Sequence, residues 1–197
     1  MNWVWLRQEL LGRLLDVCFP ARCVGCKERG VWLCRRCIGQ FQRLPSSRCA
    51  RCGDFGGVLE RGHVAARLEP YSCRVCADRP PAFDRLLCEY VFTGTLRTAI
   101  HQLKYRRARH LAAPLGQILV ELVQAEGLTA ELVVPVPLHP KREAVRGFNQ
   151  SALLAGPVAA SLRLPLVPAA LSRTVDTPPQ MSLPAVQRRA NVVNAIR

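Results

Sequence analysis

Apolar residues recur every three to four positions in several segments of the chain, which is the spacing of an amphipathic helix. This spacing predicts helices over residues 3–16, 96–104, 110–125 and 150–163. Two short apolar, β-prone runs at 86–92 and 132–137 predict strands, and the second run stops at Pro137. Strands that alternate with helices are typical of an α/β fold, in which a parallel sheet has helices on its faces.

Two consecutive prolines after Arg79 mark the predicted boundary between two modules, because proline interrupts both helix and sheet. Residues 80–197 are predicted to form the α/β domain, and residues 18–79 a separate cysteine-rich module. Residues 1–17 are predicted to form an amphipathic helix that packs on the rest of the protein.

The first fifteen residues are apolar enough to raise the question of a secretion signal. Arg7, Glu9 and Arg13 interrupt the run, and no small-residue cleavage site follows it. No stretch approaches the roughly 18 consecutive apolar residues that a membrane helix needs. The sequence therefore predicts a soluble protein of the cytoplasm.

Eight of the ten cysteines are arranged as four C-x-x-C pairs within residues 23–76. Two thiolates at this spacing can bind one metal ion, and two such pairs complete a tetrahedral site. A disulfide framework is disfavoured by the lack of a secretion signal, and a redox motif explains one pair only. An iron–sulfur cluster is a further alternative, although its cysteines usually have other spacings. The pattern predicts two structural Zn²⁺ ions in a double zinc ribbon, with the ligands Cys23, Cys26, Cys34, Cys37, Cys49, Cys52, Cys73 and Cys76.

The loops between the four pairs contain 7, 11 and 20 residues. Joining the first pair to the second and the third to the fourth closes shorter loops than a cross-braced arrangement does. Closure entropy therefore favours the sequential arrangement modestly. Cys18 and Cys88 lie outside the pairs and are predicted to pack as small apolar residues.

The chain is strongly basic, since its 197 residues include 28 Lys and Arg against 14 Asp and Glu, a formal charge of +14. Only three of the basic residues are lysines, and such a bias can reflect coding composition as well as a ligand. Arginine suits phosphate groups and a positive field attracts polyanions. A phosphate-bearing partner and a solvated basic surface both remain open. Two Zn²⁺ ions on eight thiolates would lower the net charge to about +10.

A basic segment follows the second predicted strand and leads into the helix of residues 150–163. It contains Lys141, Arg142 and Arg146, and Gly147 would let the backbone approach an anion closely. In an open α/β sheet, ligands bind at the carboxyl ends of the strands, and a helix N-terminus adds partial positive charge. The segment predicts a phosphate or pyrophosphate site, with a solvated basic loop as the alternative.

The order of these motifs resembles the ComF family, competence-associated proteins that join a double zinc ribbon to a type I phosphoribosyltransferase-like domain. The four C-x-x-C pairs match, together with the segments at 80–84, 101–105, 134–140 and 146–150. In the tail, the residues at the family's spacing are Arg173, Thr177, Gln180, Leu183, Arg188, Arg189, Asn191 and Val192. The resemblance extends over nearly the whole chain from Pro20.

The resemblance implies a role for the basic segment and a partner for the protein. It makes residues 141–150 the family's pyrophosphate-side loop, places Lys104 near the same site, and puts Arg173 and Gln180 in a mobile hood. The family is associated with uptake of single-stranded DNA in natural transformation. Single-stranded DNA and proteins of the DNA-uptake machinery are therefore the implied partners, and Tyr105 is a candidate for stacking on bases. The predicted anion-site residues are Lys104, Lys141, Arg142, Arg146, Gly147, Asn149 and Gln150.

One motif of type I phosphoribosyltransferases is missing from residues 1–197. In those enzymes an acidic pair followed by Thr-Thr-Gly holds the ribose phosphate of phosphoribosyl pyrophosphate, which binds with Mg²⁺, and no equivalent occurs here. The domain is therefore expected to be C-terminally incomplete, either truncated or completed by a partner chain. Three functions stay open: a competence factor that handles DNA, the N-terminal part of a phosphoribosyltransferase acting on a base-like acceptor, and a zinc-ribbon adaptor that binds proteins.

Residues 1–197 are expected to have no phosphoribosyltransferase turnover by themselves, because the ribose-phosphate motif is absent. The measurement is the release of diphosphate from phosphoribosyl pyrophosphate and Mg²⁺ in the presence of candidate acceptors. Robust turnover by the purified chain would contradict this expectation.

Overall fold

A computed structural model describes residues 20–45, 48–54 and 72–197, apart from the side chains at 185 and 189. Helices are the main regular elements of this part of the chain. They are α1 (Arg35–Gly39), α2 (Arg74–Asp78), α3 (Gly94–Tyr105), α4 (Ala112–Ala125), α5 (Pro140–Arg146), α6 (Gln150–Leu162) and α7 (Ala185–Ala190). Short 3-10 turns lie at Arg109–Leu111 and Gln180–Ser182.

Three of the four helices predicted from apolar spacing are confirmed. They are α3, α4 and α6, each within about two residues of its predicted bounds. The fourth, over residues 3–16, lies outside the described residues, as do Cys18 and most of the loop at 53–72.

The parallel sheet predicted for residues 80–197 is not supported, because backbone pairing among the described residues is limited to isolated bridges. In the run 132–137 only Val133 pairs, in parallel with Leu166. Pro135 and Pro137 lack the N–H groups that a longer ladder would need. The run 86–92 pairs through Tyr90 with Arg43, in antiparallel orientation. Neither run forms a regular strand.

Helices α4 and α6 pack closely against each other. A Cβ atom on Gly116 of α4 would lie only 2.9 Å from Cγ of Pro157 in α6. At the far end of the pair, Gln124 donates a hydrogen bond of 2.8 Å to Oγ of Ser161. The lack of a side chain at Gly116 therefore sets how closely the two helices approach.

The described residues form two compact units. One contains the described residues up to Gly39 together with Gly94–Arg197, and the other contains Gln40–Thr93. The first two cysteine pairs consequently belong to the first unit, with α3–α7, and the last two pairs belong to the second. The module boundaries at residues 17/18 and 79/80 stay predictions from the sequence.

Gly116→Ala is expected to destabilise the protein by about 1–3 kcal/mol, because the new methyl group would overlap the ring of Pro157. Gly156→Ala in α6 is the matched control, since a Cβ atom there meets nothing within 4 Å. Helix propensity should leave the control as stable as the parent or raise its stability by up to about 1 kcal/mol. Urea unfolding followed by circular dichroism measures both variants. Equal stability of the two would contradict the close approach.

Candidate metal centres and basic cluster

The eight paired cysteines form two groups, and within each group the four Sγ atoms lie within 4.8 Å of one another. Each group could hold one metal ion. The grouping is the sequential one that loop length favours. The first site consists of Cys23, Cys26, Cys34 and Cys37, and the second site consists of Cys49, Cys52, Cys73 and Cys76.

The sulfur separations fit a tetrahedral metal–thiolate centre. In the first site Sγ of Cys26 lies 3.6 Å from Sγ of Cys34, and in the second site Sγ of Cys52 lies 3.7 Å from Sγ of Cys73. A disulfide requires about 2.05 Å. A tetrahedron with Zn–S bonds of about 2.3 Å has edges of about 3.8 Å. The thiols are therefore spaced to share an ion rather than to bond to each other.

Backbone N–H groups face the sulfur atoms in both sites, because the chain turns tightly around each cysteine pair. In the first site the N–H of Cys34 donates to Sγ of Cys23, and the N–H of Cys37 donates to Sγ of Cys34, both at 3.4 Å. The second site repeats this pattern, with the bonds Cys73 to Cys49 at 3.3 Å and Cys76 to Cys73 at 3.4 Å. The two sites are built alike.

The thiols of each site differ widely in acidity. Burial opposes ionisation of Cys23 and Cys49, but the N–H groups around their sulfurs outweigh it and lower the pKa of each to about 6. At Cys34 the N–H of Cys37 favours the thiolate, yet burial and the neighbouring cysteines raise the pKa to about 12. Burial and then the neighbouring cysteines raise the pKa of Cys76 to about 12.

The neighbouring cysteines widen this spread, because a thiolate next to other thiolates is repelled by them. A divalent cation removes the repulsion, and a coordinating thiol is deprotonated outright. Four thiolates in a closed tetrahedral arrangement are the donor set of structural zinc sites. The residues of both sites therefore fit Zn²⁺.

A basic cluster, defined as Lys104, Tyr105 and Arg146, forms where the ends of α3 and α5 meet. The guanidinium carbon of Arg146 lies 5.7 Å from the centre of the Tyr105 ring. Burial and then repulsion by Arg146 lower the pKa of Lys104, and burial also lowers the pKa of Arg146. No ion pair among the described residues includes Lys104 or Arg146. Two partly buried cations thus lie close together beside an aromatic ring.

Arg107 ties the end of α3 to the end of α5. Its Nε and Nη2 atoms donate to the carbonyl oxygen of Val145 at 3.2 and 2.7 Å. Arg107 adopts a φ of 55°, a left-handed conformation that is uncommon for a residue with a side chain. The two hydrogen bonds to Val145 place the following residue, Arg146, next to Tyr105.

The basic segment predicted as a loop is largely helical, since Pro140–Arg146 forms α5. The reason is local: Nδ1 of His139 accepts from the N–H of Lys141 at 3.3 Å, and Pro140 suits the first helical position. Gly147 ends the helix in the left-handed conformation, with a φ of 86°. Gly147 therefore has a structural role as a helix cap.

The predicted anion-site residues have different surroundings. Gln150 accepts a hydrogen bond from Arg146 and so lies beside the basic cluster, whereas Lys141 is exposed in the first turn of α5. Arg142 is engaged elsewhere, because its Nε donates to Oδ1 of Asp176 at 2.8 Å and its Nη2 donates to the carbonyl of Thr177. Whether any of them binds an anion stays a prediction.

Asn149 and the aromatic residues of the segment also have defined environments. Oδ1 of Asn149 caps α6 by accepting from the N–H of Ser151 at 2.9 Å. Phe148 is buried under the guanidinium of Arg109, whose Cζ lies 5.4 Å from the ring centre, so Phe148 packs in the interior. Tyr105 is 59% exposed and accessible for stacking.

Sequence reasoning missed three contacts that shape this region. They are the bonds from Arg107 to Val145, the pairing of Arg142 with Asp176, and the stacking of Trp32 on His110. Each joins residues more than 30 positions apart, so no local sequence pattern predicts it. The helical caps of α5 could have been found, because His-Pro before it and Gly after it are ordinary boundary signals.

Proteins of similar sequence include DNA utilization proteins and a competence protein. The chain is 32% identical over 172 residues to the DNA utilization protein YhgH of Escherichia coli O157:H7 and 33% identical over 179 residues to YhgH of Salmonella typhi. Each alignment covers 84% of this chain and 76% of the relative. Competence protein F of Haemophilus influenzae is 26% identical over 170 residues, which cover 82% of this chain and 74% of that protein. The chain belongs to the ComF family.

Neither a protein-family model nor a solved structure matches the chain. Among the described residues, none of the helices has the length and apolar character required to cross a membrane.

Elemental analysis is expected to find two metal ions per chain, one for each group of thiols. Cys49→Ser should reduce this number to one and unfold the second site, because the binding energy of a structural metal is folding energy. Cys88→Ser is the matched control, since Cys88 is half-buried but belongs to neither group. It should retain both ions. A parent chain with one ion, or a Cys49 variant that keeps two, would contradict the assignment.

Proposed function

We propose that this protein is a zinc-dependent competence factor that handles single-stranded DNA during natural transformation, holding DNA phosphates at the basic cluster. One observation carries the proposal: Lys104 and Arg146 are partly buried cations next to each other, and no described carboxylate forms an ion pair with either. The names of the relatives, DNA utilization protein and competence protein F, support the choice of DNA as the anion.

A phosphate group would relieve the electrostatic conflict in the basic cluster. Burial disfavours the charged forms of both Lys104 and Arg146, and repulsion by Arg146 adds to this effect at Lys104, which the lowered pKa values reflect. An anion between them reverses both effects, because it attracts each cation and replaces part of the lost hydration. The exposed ring of Tyr105 adds a surface on which a base can stack. Cations and a stacking ring together bind single strands without reading their sequence.

The other basic residues of α5 contribute differently. The Arg142 guanidinium is held by the Asp176 carboxylate, so a phosphate would have to compete with that side chain. Lys141 is exposed and extends the positive surface along the helix. Arg146 therefore provides the main phosphate contact of α5, and Arg142 anchors residues 176–177 to that helix.

Zinc is the metal we assign to both cysteine sites, on the basis of the four-thiol donor sets and the sulfur spacing. Zinc in a closed four-thiolate site supplies folding energy and no reaction chemistry. Free thiols in this number suit the reducing cytoplasm, where we place the protein. A phosphoribosyltransferase-like fold for residues 80–197 remains our proposal, and the parallel pairing of Val133 with Leu166 supports it.

The double variant Lys104→Ala/Arg146→Ala is expected to bind a labelled oligothymidylate about tenfold more weakly than the parent, because two phosphate contacts are lost. The binding constant falls with salt concentration, and the steepness of this fall on a double logarithmic plot should decrease by about 0.7 for each lost contact. Fluorescence anisotropy at several salt concentrations measures both quantities.

Arg79→Ala is the matched control, because Arg79 is an exposed arginine of the other compact unit and its removal also lowers the net charge. It should bind nearly as tightly as the parent. Identical curves for the double variant and the parent would remove the basic cluster from the proposal. A parent protein without salt-dependent binding would overturn the DNA-handling function and favour the protein-adaptor alternative.

A further inference from the structure

The first metal site and the helices that carry the basic cluster belong to the same compact unit. They touch at two places, one at the start of α3 and one just after its end. The second metal site lies in the other unit, so the two sites, although built alike, have different neighbours.

Trp32 makes the contact near the end of α3. It lies in the loop between the two cysteine pairs of the first site, and its ring stacks on His110 with centroids 3.7 Å apart and an angle of 25°. The carbonyl of Trp32 accepts from the N–H of Val24 at 2.9 Å, which fixes the residue to the turn of the first cysteine pair. Burial lowers the pKa of His110, which favours the uncharged form of the stacked ring.

Gly25 makes the contact at the start of α3. A Cβ atom there would lie 2.8 Å from Cγ2 of Thr95 and 2.8 Å from Sγ of Cys37. The corresponding position in the second site is Arg51, which has a long side chain. The glycine at the first site therefore leaves room both for Cys37 and for the start of α3, which lies against it.

His110 is connected to the basic cluster by short steps. It belongs to the 3-10 turn Arg109–Leu111, which directly follows the connection from α3. In that connection Arg107 holds the carbonyl of Val145, next to Arg146. Within the turn, Arg109 covers the ring of Phe148, which leads into α6. A shift of the turn would therefore move both the end of α3, with Lys104, and the end of α5, with Arg146.

We infer that the first metal site positions the basic cluster and that Trp32 is the positioning residue, acting by stacking on His110. The consequence for DNA binding rests on the proposed function, whereas the structural part, which concerns order in residues 106–111, does not. The second metal site has no such task. Loss of its metal should leave the basic cluster in place.

The experiment compares Trp32→Ala and Trp32→Phe with Val31→Ala as the matched control. Val31 is the preceding residue of the same loop and is 38% exposed, against 37% for Trp32. Trp32→Ala should keep two metal ions, increase hydrogen exchange of the amides in 106–111, and bind oligothymidylate about two- to tenfold more weakly, as expected for loss of a stacked pair. Trp32→Phe should change hydrogen exchange and binding less than Trp32→Ala does, and Val31→Ala should change neither.

A pair of metal-site variants tests the difference between the two sites. Cys26→Ser and Cys52→Ser should each lose one metal ion, and only Cys26→Ser should increase exchange in residues 106–111. Parent-like exchange in both Trp32→Ala and Cys26→Ser, or equal increases in Cys26→Ser and Cys52→Ser, would overturn the inference. If the parent itself does not bind the oligonucleotide, the proposed function fails, and the exchange data still decide whether the first site positions this segment.

Discussion

The structure depends on the crowding of four thiols at each of two points in the chain. Sulfur atoms 3.6–3.7 Å apart are too distant for a disulfide and too close for unshielded thiolates. At Cys23 backbone N–H groups outweigh burial and lower the pKa to about 6, whereas at Cys34 burial and repulsion by the neighbouring cysteines outweigh the N–H of Cys37 and raise the pKa to about 12. A divalent ion turns this repulsion into attraction, so metal binding and folding of these segments are one process.

Similar chemistry does not give the two sites the same surroundings. The first site packs through Gly25 on α3 and through Trp32 on His110, so a metal ion held there would also stabilise contacts outside the cysteine turns. The second site lies in a unit whose residues around Tyr90 pair with 42–44. Two sites of the same local construction thus belong to different compact units and have different packing partners.

Local patterns in the sequence predict the features that arise locally. Cysteine spacing identifies both metal sites, and loop length identifies which cysteine pairs form each site. Apolar periodicity identifies α3, α4 and α6. The predicted parallel sheet is not supported, because prolines at 135 and 137, although visible in the sequence, limit the pairing of a run that is apolar enough for a strand. Long-range contacts could not be predicted either. The residues around Arg142 do not indicate its hydrogen bond to Asp176, and those around Arg107 do not indicate its hydrogen bond to the carbonyl of Val145.

The unequal loops of the two sites impose an order on assembly. Seven residues separate the cysteine pairs of the first site and twenty separate those of the second. By loop-closure entropy this difference favours the first site by about 0.9 kcal/mol. If zinc is the metal, as we propose, chains with one ion would accumulate with the first site filled when zinc is scarce. On the function and the positioning role that we propose, the scarce metal would go first to the site that holds the basic cluster, so DNA binding would persist in chains that carry a single ion.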